Sequence, residues 1–348
     1  MHQRLHRHLL RRPGLLPQRT PLLLAVSGGQ DSMALVTLLA DLARLHGWRL
    51  RLWHGDHGWR PESARQAGEL AAWAAHRGLP LELERAAAAG DPPRGEAAAR
   101  HWRYACLERQ ARRHGCPVVV TGHTATDRAE TVLLNLARGC HRRGLASLRA
   151  RRPLRTAAAA AAGADGETAV WLVRPLLMFS REETALFCRL RGVPVWPDPT
   201  NADGRLRRNR VRSELLPVLE QLHPGACRRI SFQADRLAEE EDRTDELTAL
   251  ALRGLAAGGD GAGPAPPERL DRGALASLSG ASQRRLLQRW IGDRSGLPPE
   301  AGALEEVIAA LPPRRGPGER ALRGGWRLRW DRRTLDLDPP EVPDGRTP

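Results

Sequence analysis

Leu22-Leu23-Leu24-Ala25-Val26 runs straight into Ser27-Gly28-Gly29-Gln30-Asp31-Ser32. Five apolar residues bounded by Pro21 are too few for a helix and read as a buried strand. From Asp31 to His46 the positions Leu35, Leu38, Leu39 and Leu42 recur at helical spacing. A strand that turns within six residues into a helix leaves the turn's N–H groups pointing at one spot. Glycines let a ligand approach that backbone, and the helix start favours an anion there. Ser27 and Ser32 add hydroxyl donors, and Asp31 puts a carboxylate where a phosphate-bound Mg²⁺ would sit. No Gly-Lys-Ser/Thr follows, so this is not the Walker loop.

The rest of the first two thirds alternates in the same way. Arg49 to Trp53, Leu79 to Glu84, Pro117 to Thr121 and Val170 to Pro175 read as further strands, with helices at Pro61–Arg77 and Arg94–His114. Another helix runs through Leu134 and Leu136, and Ser180 is expected to cap one reaching Arg191. Such alternation predicts right-handed crossovers and an α/β fold, a parallel sheet with helices on both faces. His54 to Arg60 and Gly122 to Thr131 then fall at the carboxyl ends of strands, the edge where ligands bind in such sheets. Arg149 to Thr168, with six consecutive alanines, reads as a loop. Arg205 to Glu220 begins with a run of arginines and turns amphipathic. A boundary is expected near His223-Pro224, giving domains of residues 1–222 and 223–348. The second is expected to be smaller and mainly helical, with a long helix over Gly225–Leu255, another over Leu270–Ile291, and a ribbon pairing Trp326–Trp330 with Thr334–Leu337.

Composition narrows the partners. There are 55 basic residues against 40 acidic, a net +15, and every basic one is Arg. Arginine is the better bidentate phosphate ligand, and this excess suggests a polyanion. The five cysteines, Cys106, Cys116, Cys140, Cys188 and Cys227, form no C-x-x-C pair, which argues against a zinc ribbon, a cluster or a disulfide framework. No stretch approaches a membrane span and the N-terminus makes no convincing signal peptide, so a reduced, cytoplasmic setting is expected.

Ser27 to Ser32 after an apolar strand resembles the pyrophosphate-binding loop of the N-type ATP pyrophosphatases. Several stretches together resemble the tRNA(Ile)-lysidine synthetase family. They are Asp56 to Ser63, Gly122 to Thr131, Arg138 to Leu145, Arg174 to Leu177, Asp198 to Asn201, and Arg208 to Arg212 followed by Leu215-Leu216-Pro217. The resemblance implies a PP-loop, Rossmann-like ATPase domain with a tRNA-recognising C-terminal domain. It implies ATP and Mg²⁺ as cofactors, and as partners L-lysine and a minor tRNA(Ile) with a CAU anticodon, whose wobble cytidine receives the lysine. A homodimer is left open. Ser27, Gly28, Gly29, Gln30, Asp31, Ser32, His57 and Arg60 are expected to hold the nucleotide, with Asp31 on the metal. Asp31, His123 and Asp127 are the catalytic candidates, His123 as acceptor of the amine's proton. Arg103, Glu130, Arg138, Arg142, Arg143, Arg208, Asn209 and Arg212 are expected to meet lysine or tRNA. Thr126 stands where the family carries the first of two aspartates, so that carboxylate's role is not carried over.

Three other readings compete. A tRNA thiolase would need paired cysteines or a cluster. An amidotransferase-type synthetase would need an ammonia source, and a non-catalytic RNA binder would not need the intact loop.

Overall fold

Leu22, Leu23 and Leu24 are all fully buried. Alternate side chains of a strand point to opposite faces, so three such neighbours require cover on both sides. The structure, a computed structural model, describes residues 1–58, 62–86, 95–154, 169–196, 206–257, 265–312 and 314–340. Strand β1 (Pro21–Ala25) sits near the middle of a six-stranded sheet with β2 (Arg49–Asp56), β3 (Leu81–Arg85), β4 (Val118–Val120), β5 (Arg151–Pro153) and β6 (Trp171–Val173). The spatial order is β3-β2-β1-β4-β6-β5, parallel throughout except for β5. Leu22 and Leu24 face a core shared with Leu35, Leu38, Leu39, Leu52, Val120 and Phe179. Leu23 faces the other, with Trp53, Leu107, Val119 and Leu172.

Helices α1 (His2–Arg11), α2 (Gln30–His46), α3 (Glu62–His76), α4 (Glu96–Arg113), α5 (Ala125–Ala137), α6 (Arg142–Leu145) and α7 (Arg181–Leu190) accompany the sheet. The expected capping of α7 is found: Ser180 accepts from Glu183 N–H while the Glu183 carboxylate takes the Ser180 N–H. Because β1 pairs β2 on one side and β4 on the other, the strand order reverses between β1 and β4. That is the switch point where a crevice opens beyond the strand ends.

One expectation for this stretch of the chain needs correction. The loop expected from Arg149 contains β5, an edge strand antiparallel to β6, where Pro153 is tolerated because an edge strand need not donate on both sides. The amphipathic stretch after the arginine run is three pieces: α8 (Arg207–Arg210), a π-helical turn (Val211–Leu215) and α9 (Leu216–Leu222). The six alanines and the Asp198–Asn201 motif lie outside the described residues.

The chain divides into compact units between Glu239 and Glu240, inside helix α10 (Ala226–Gly254), and not at the proposed 222/223 boundary. Within the second unit β7 (Arg269–Asp271), β8 (Gly318–Ala321), β9 (Arg327–Trp330) and β10 (Thr334–Asp338) form an antiparallel sheet in the order β7-β10-β9-β8. The expected β9–β10 pairing is present, with Leu337 opposite Leu328. The single helix expected over 270–291 is instead β7, α11 (Arg272–Ala276) and α12 (Gly280–Ser295). Asp271 caps α11 and Ser279 caps α12, each side-chain oxygen accepting an N–H three residues on. A further helix, α13 (Ala301–Ala310), carries Leu304 and Val307 into this core beside Leu287 and Trp290. Arg272 is fully buried and donates to the carbonyls of Ala310, Leu311, Pro312, Arg315 and Asp331. Five acceptors around one guanidinium satisfy its donors without a carboxylate. No helix of the described residues is long and apolar enough to cross a membrane.

Candidate active site at the carboxyl edge of the sheet

Gly28 adopts a left-handed φ of 82°, and a Cβ there would come within 3.4 Å of the Trp196 ring. Its carbonyl accepts the Trp196 N–H at 2.9 Å, so Trp196 closes one side of the turn. Ser32 Oγ ties the turn together by accepting from Ser27 N–H at 3.2 Å and donating to the Gly29 carbonyl at 2.8 Å. From the neighbouring strand, Gly122 lies so close that a Cβ would stand 2.8 Å from the Asp31 carbonyl. Only glycine lets the end of β4 seat against the start of α2, which sets the β1 and β4 segments side by side.

Asp31 is the residue most perturbed in the loop. Burial pushes its carboxyl up to about 6, and nearby Asp127 adds to the rise while Arg181 opposes it. Arg181 Nη1 donates to Asp31 Oδ2 at 3.0 Å and the Thr184 hydroxyl donates to Oδ1. Gln30 Nε2 donates to the Arg181 carbonyl at 2.8 Å and fixes the same helix start. Arg181 N–H in turn donates to Thr126 Oγ1 at 3.1 Å. Thr126, the departure from the family pattern, thus anchors the residue that holds Asp31.

Asp127 has a double role. Its Oδ2 accepts from Thr124 N–H and Thr124 Oγ, both at 2.8 Å, forming a capping box that starts α5. Its Oδ1 faces Arg208 Nη2 at 3.1 Å. Burial raises this carboxyl, but His123, Arg208 and the Thr124 bonds outweigh that and leave it below the ordinary value. His123 is hydrogen-bonded to Thr121 Oγ through Nδ1 at 2.9 Å. Burial and the cation of Arg174 hold the imidazole well below its usual value, so it is neutral at pH 7. A neutral imidazole can accept a proton, and burial and these cations make it a weak base here.

One turn further along α5, Glu130 is completely buried. Arg208 Nε donates to its Oε2 at 2.6 Å, and Arg212 Nε to its Oε1 at 2.5 Å. A buried carboxylate needs such partners, and Arg208 and Arg212, expected to meet lysine or tRNA, supply them while keeping part of their surface exposed. The intervening turn favours this arrangement. Pro217 has no N–H to donate to the Ser213 carbonyl four residues earlier, and the helix widens to π geometry just before it. Asn209, between the two arginines, is buried.

The remaining expected residues lie farther out. Arg103 Nη2 is 3.1 Å from His57 Nε2, and the His57 ring meets the edge of Trp102 with centroids 5.0 Å apart. Arg138 ends α5, and Arg142 and Arg143 open α6 on an exposed surface, with Asn135 Nδ2 donating to the Gly144 carbonyl to hold the two helices together. Arg60 lies outside the described residues. The structure therefore brings Asp31, His123, Asp127, Glu130, Arg208 and Arg212 into one electrostatically coupled group. Sequence reasoning missed Arg181 and Thr184; the only signal was their place in the first turn of the helix capped by Ser180. It also missed Trp196, whose proline-flanked segment gave no hint of packing on the loop.

Residues 2–219 match the PP-loop domain model and residues 270–335 match the TilS substrate binding domain. The chain is 46% identical to a tRNA(Ile)-lysidine synthase of Parasynechococcus marenigrum, covering 97% of this chain and 95% of that one. It is 44% identical to the protein of the same name from a Synechococcus strain, covering 88% and 86%. Among solved structures it is similar in fold to the U34-tRNA thiolase NcsA from Methanococcus maripaludis, which carries a [4Fe-4S] cluster. That match has a TM-score of 0.55 and 19% identity over 68% of this chain and 78% of that one. Two matched domains in order, and relatives alike over nearly their whole length, establish that the chain belongs to the tRNA(Ile)-lysidine synthase family.

Proposed function

We propose that the protein joins L-lysine to the wobble cytidine of a tRNA(Ile) with a CAU anticodon, using ATP, in the cytoplasm. The observation that carries this reading is the meeting of the Ser27–Ser32 phosphate loop with the largely shielded Asp127 and the buried Glu130 carboxylates at one sheet edge. Cytidine O2 attacks the α-phosphorus of ATP, the α–β bridging bond breaks and pyrophosphate leaves. The lysine ε-amine then attacks C2, AMP departs with the former O2, and the amine loses its proton.

The loop N–H groups and the Ser27 hydroxyl would stabilise charge on the phosphates. Asp31 fits a Mg²⁺ site as a hard oxygen donor, since burial and Asp127 raise its carboxyl in a way that a cation relieves. Bound there, Mg²⁺ would neutralise the phosphates during adenylation. Asp127 and Glu130 would receive the lysine ammonium, with Arg208 and Arg212 balancing them in its absence. The amine must shed a proton held near pKa 10.4 in water. Bound phosphates would offset the cations that, together with burial, depress His123 and so bring it nearer to taking this proton.

Incubation with tRNA and ATP labelled in the α-phosphate tests this. Without lysine, label should accumulate on the RNA, and added lysine should chase it off as AMP. RNA that never takes up label would refute the reading. Sulfur transfer is the rival sharing this fold. Four of the five cysteines here are buried, and among the described residues no three His, Cys, Asp or Glu side chains are placed to hold a metal ion together. Burial pushes Cys106 and Cys188 up to about 11, away from thiolate reactivity. A folded variant with all five cysteines replaced should therefore keep lysine transfer.

A further inference from the structure

Tyr104 is the only tyrosine in the chain and lies on α4, against Arg152 of β5 and against Arg174 just past the carboxyl end of β6, which pairs with the amino end of the antiparallel β5. The Arg100 guanidinium stands over its ring at 4.9 Å and that of Arg152 at 5.3 Å. Arg174, the residue after β6, is hydrogen-bonded to Tyr104 and is only 2% exposed. Its Nη1 donates to the Arg149 carbonyl at 2.7 Å, while its Nε has no hydrogen-bond partner among the described residues. A buried guanidinium N–H without an acceptor is costly, and such a group in a native fold calls for a ligand or water. The charged groups that act most strongly on Tyr104 are Arg100, Arg174 and Arg152, all cations. Three guanidiniums around one aromatic ring, with no carboxylate among those groups, make a site for an anion that brings a planar group with it.

Sheet order decides which anion. Arg174 follows β6, and β4 separates β6 from β1. Two strand spacings put it about 10 Å from the end of β1 and the Ser27–Ser32 loop. That exceeds the separation of adjacent phosphates in a nucleotide bound at the loop. We propose that Arg100, Arg152 and Arg174 around Tyr104 form a binding site for a phosphodiester of the single RNA strand that enters the catalytic edge. Tyr104 and its stacked guanidiniums would offer a face to the adjoining base. This rests on the reading of the substrate as RNA and names where its backbone is gripped.

The single tyrosine provides the test. With ¹³C at the phenol ζ carbon, the protein gives one tyrosine signal. Burial raises the Tyr104 pKa, but the three arginines outweigh it and leave it below the usual value. A 2′-O-methyl RNA pentanucleotide should shift this signal at neutral pH and move its alkaline midpoint upward by covering the cations. ATP at the same concentration should leave both unchanged. A response to ATP and not to the oligonucleotide, or to neither, would overturn the assignment. Arg174 is buried and its replacement invites misfolding, so the variant used is Arg100→Gln with Arg152→Gln. Its salt dependence of oligonucleotide binding should flatten by about 0.7 or more on the log–log scale, the contribution of one neutralised single-strand phosphate. An unchanged slope would likewise overturn the proposal. Lysine transfer is measured separately. If it persists while Tyr104 ignores the oligonucleotide, the site fails and the function stands; if the RNA never becomes labelled while Tyr104 responds, the reverse holds.

Discussion

Arg208 reaches across 78 residues of sequence to place its Nε 2.6 Å from the Glu130 carboxylate, which is wholly shielded from water. The same carboxylate takes Arg212, and the same Arg208 takes Asp127. Replacing Glu130 by Ala leaves two partly buried guanidiniums facing a cavity. Breaking a buried pair in this way costs about 3–5 kcal/mol. Chemical denaturation should register that loss, and the double replacement with Arg208→Ala should recover part of it. A Glu130→Ala protein as stable as the parent would show the pair to be dispensable.

Asp31→Asn should abolish pyrophosphate release while tRNA binding stays close to that of the parent. The substitution removes the charge that would meet the metal and breaks the ion pair with Arg181, yet touches none of the exposed arginines of α6. Near-normal pyrophosphate release would remove Asp31 from the chemistry.

His123 makes stability depend on pH in a definite direction. Its folded-state pKa is lowered by burial and Arg174, so below about 6.5 the unfolded chain binds a proton that the native state refuses. Stability should therefore fall as the pH drops through that value and continue to fall toward the depressed folded pKa, at up to about 1.4 kcal/mol per pH unit. Asp127, also lowered, adds its loss at still lower pH. A His123→Gln variant should show a flatter denaturation profile between pH 6.5 and 4; an identical profile would assign the slope elsewhere.

Arg142 and Arg143 are exposed at the start of α6. If they meet tRNA phosphates, replacing both by Gln should flatten the log–log salt dependence of tRNA binding by about one unit for each phosphate they neutralise. No change in slope would leave them as solvated surface.

The catalytic half was legible because its constraints are local. An apolar strand, a glycine turn and a helical repeat are each written in consecutive residues, and Ser27 to Ser32 fell where expected. The second unit was less so. Asp271 and Ser279 each restart a helix, but polar residues at helical spacing conceal such breaks until the carbonyls around Arg272 are placed. In the site, Arg208 and Arg212 read as ligands of lysine or tRNA, and charge alone does not say that their side chains also pair with a buried carboxylate. That pairing depends on Glu130, 78 residues away from Arg208, and no periodicity signals a partner at that distance. The contact between Arg181 and Thr126 was hidden for the same reason: their hydrogen bond spans 55 residues.

The central claim is that one edge of the sheet both activates a cytidine and delivers an amine to it. Its most direct test is mass analysis of the anticodon nucleosides after incubation of tRNA(Ile) carrying CAU with ATP and isotopically labelled lysine. The wobble cytidine should gain one lysine less one water, carrying the isotope and requiring ATP. A wobble nucleoside that remains cytidine, or that exchanges oxygen for sulfur when a sulfur donor is supplied, would contradict the account.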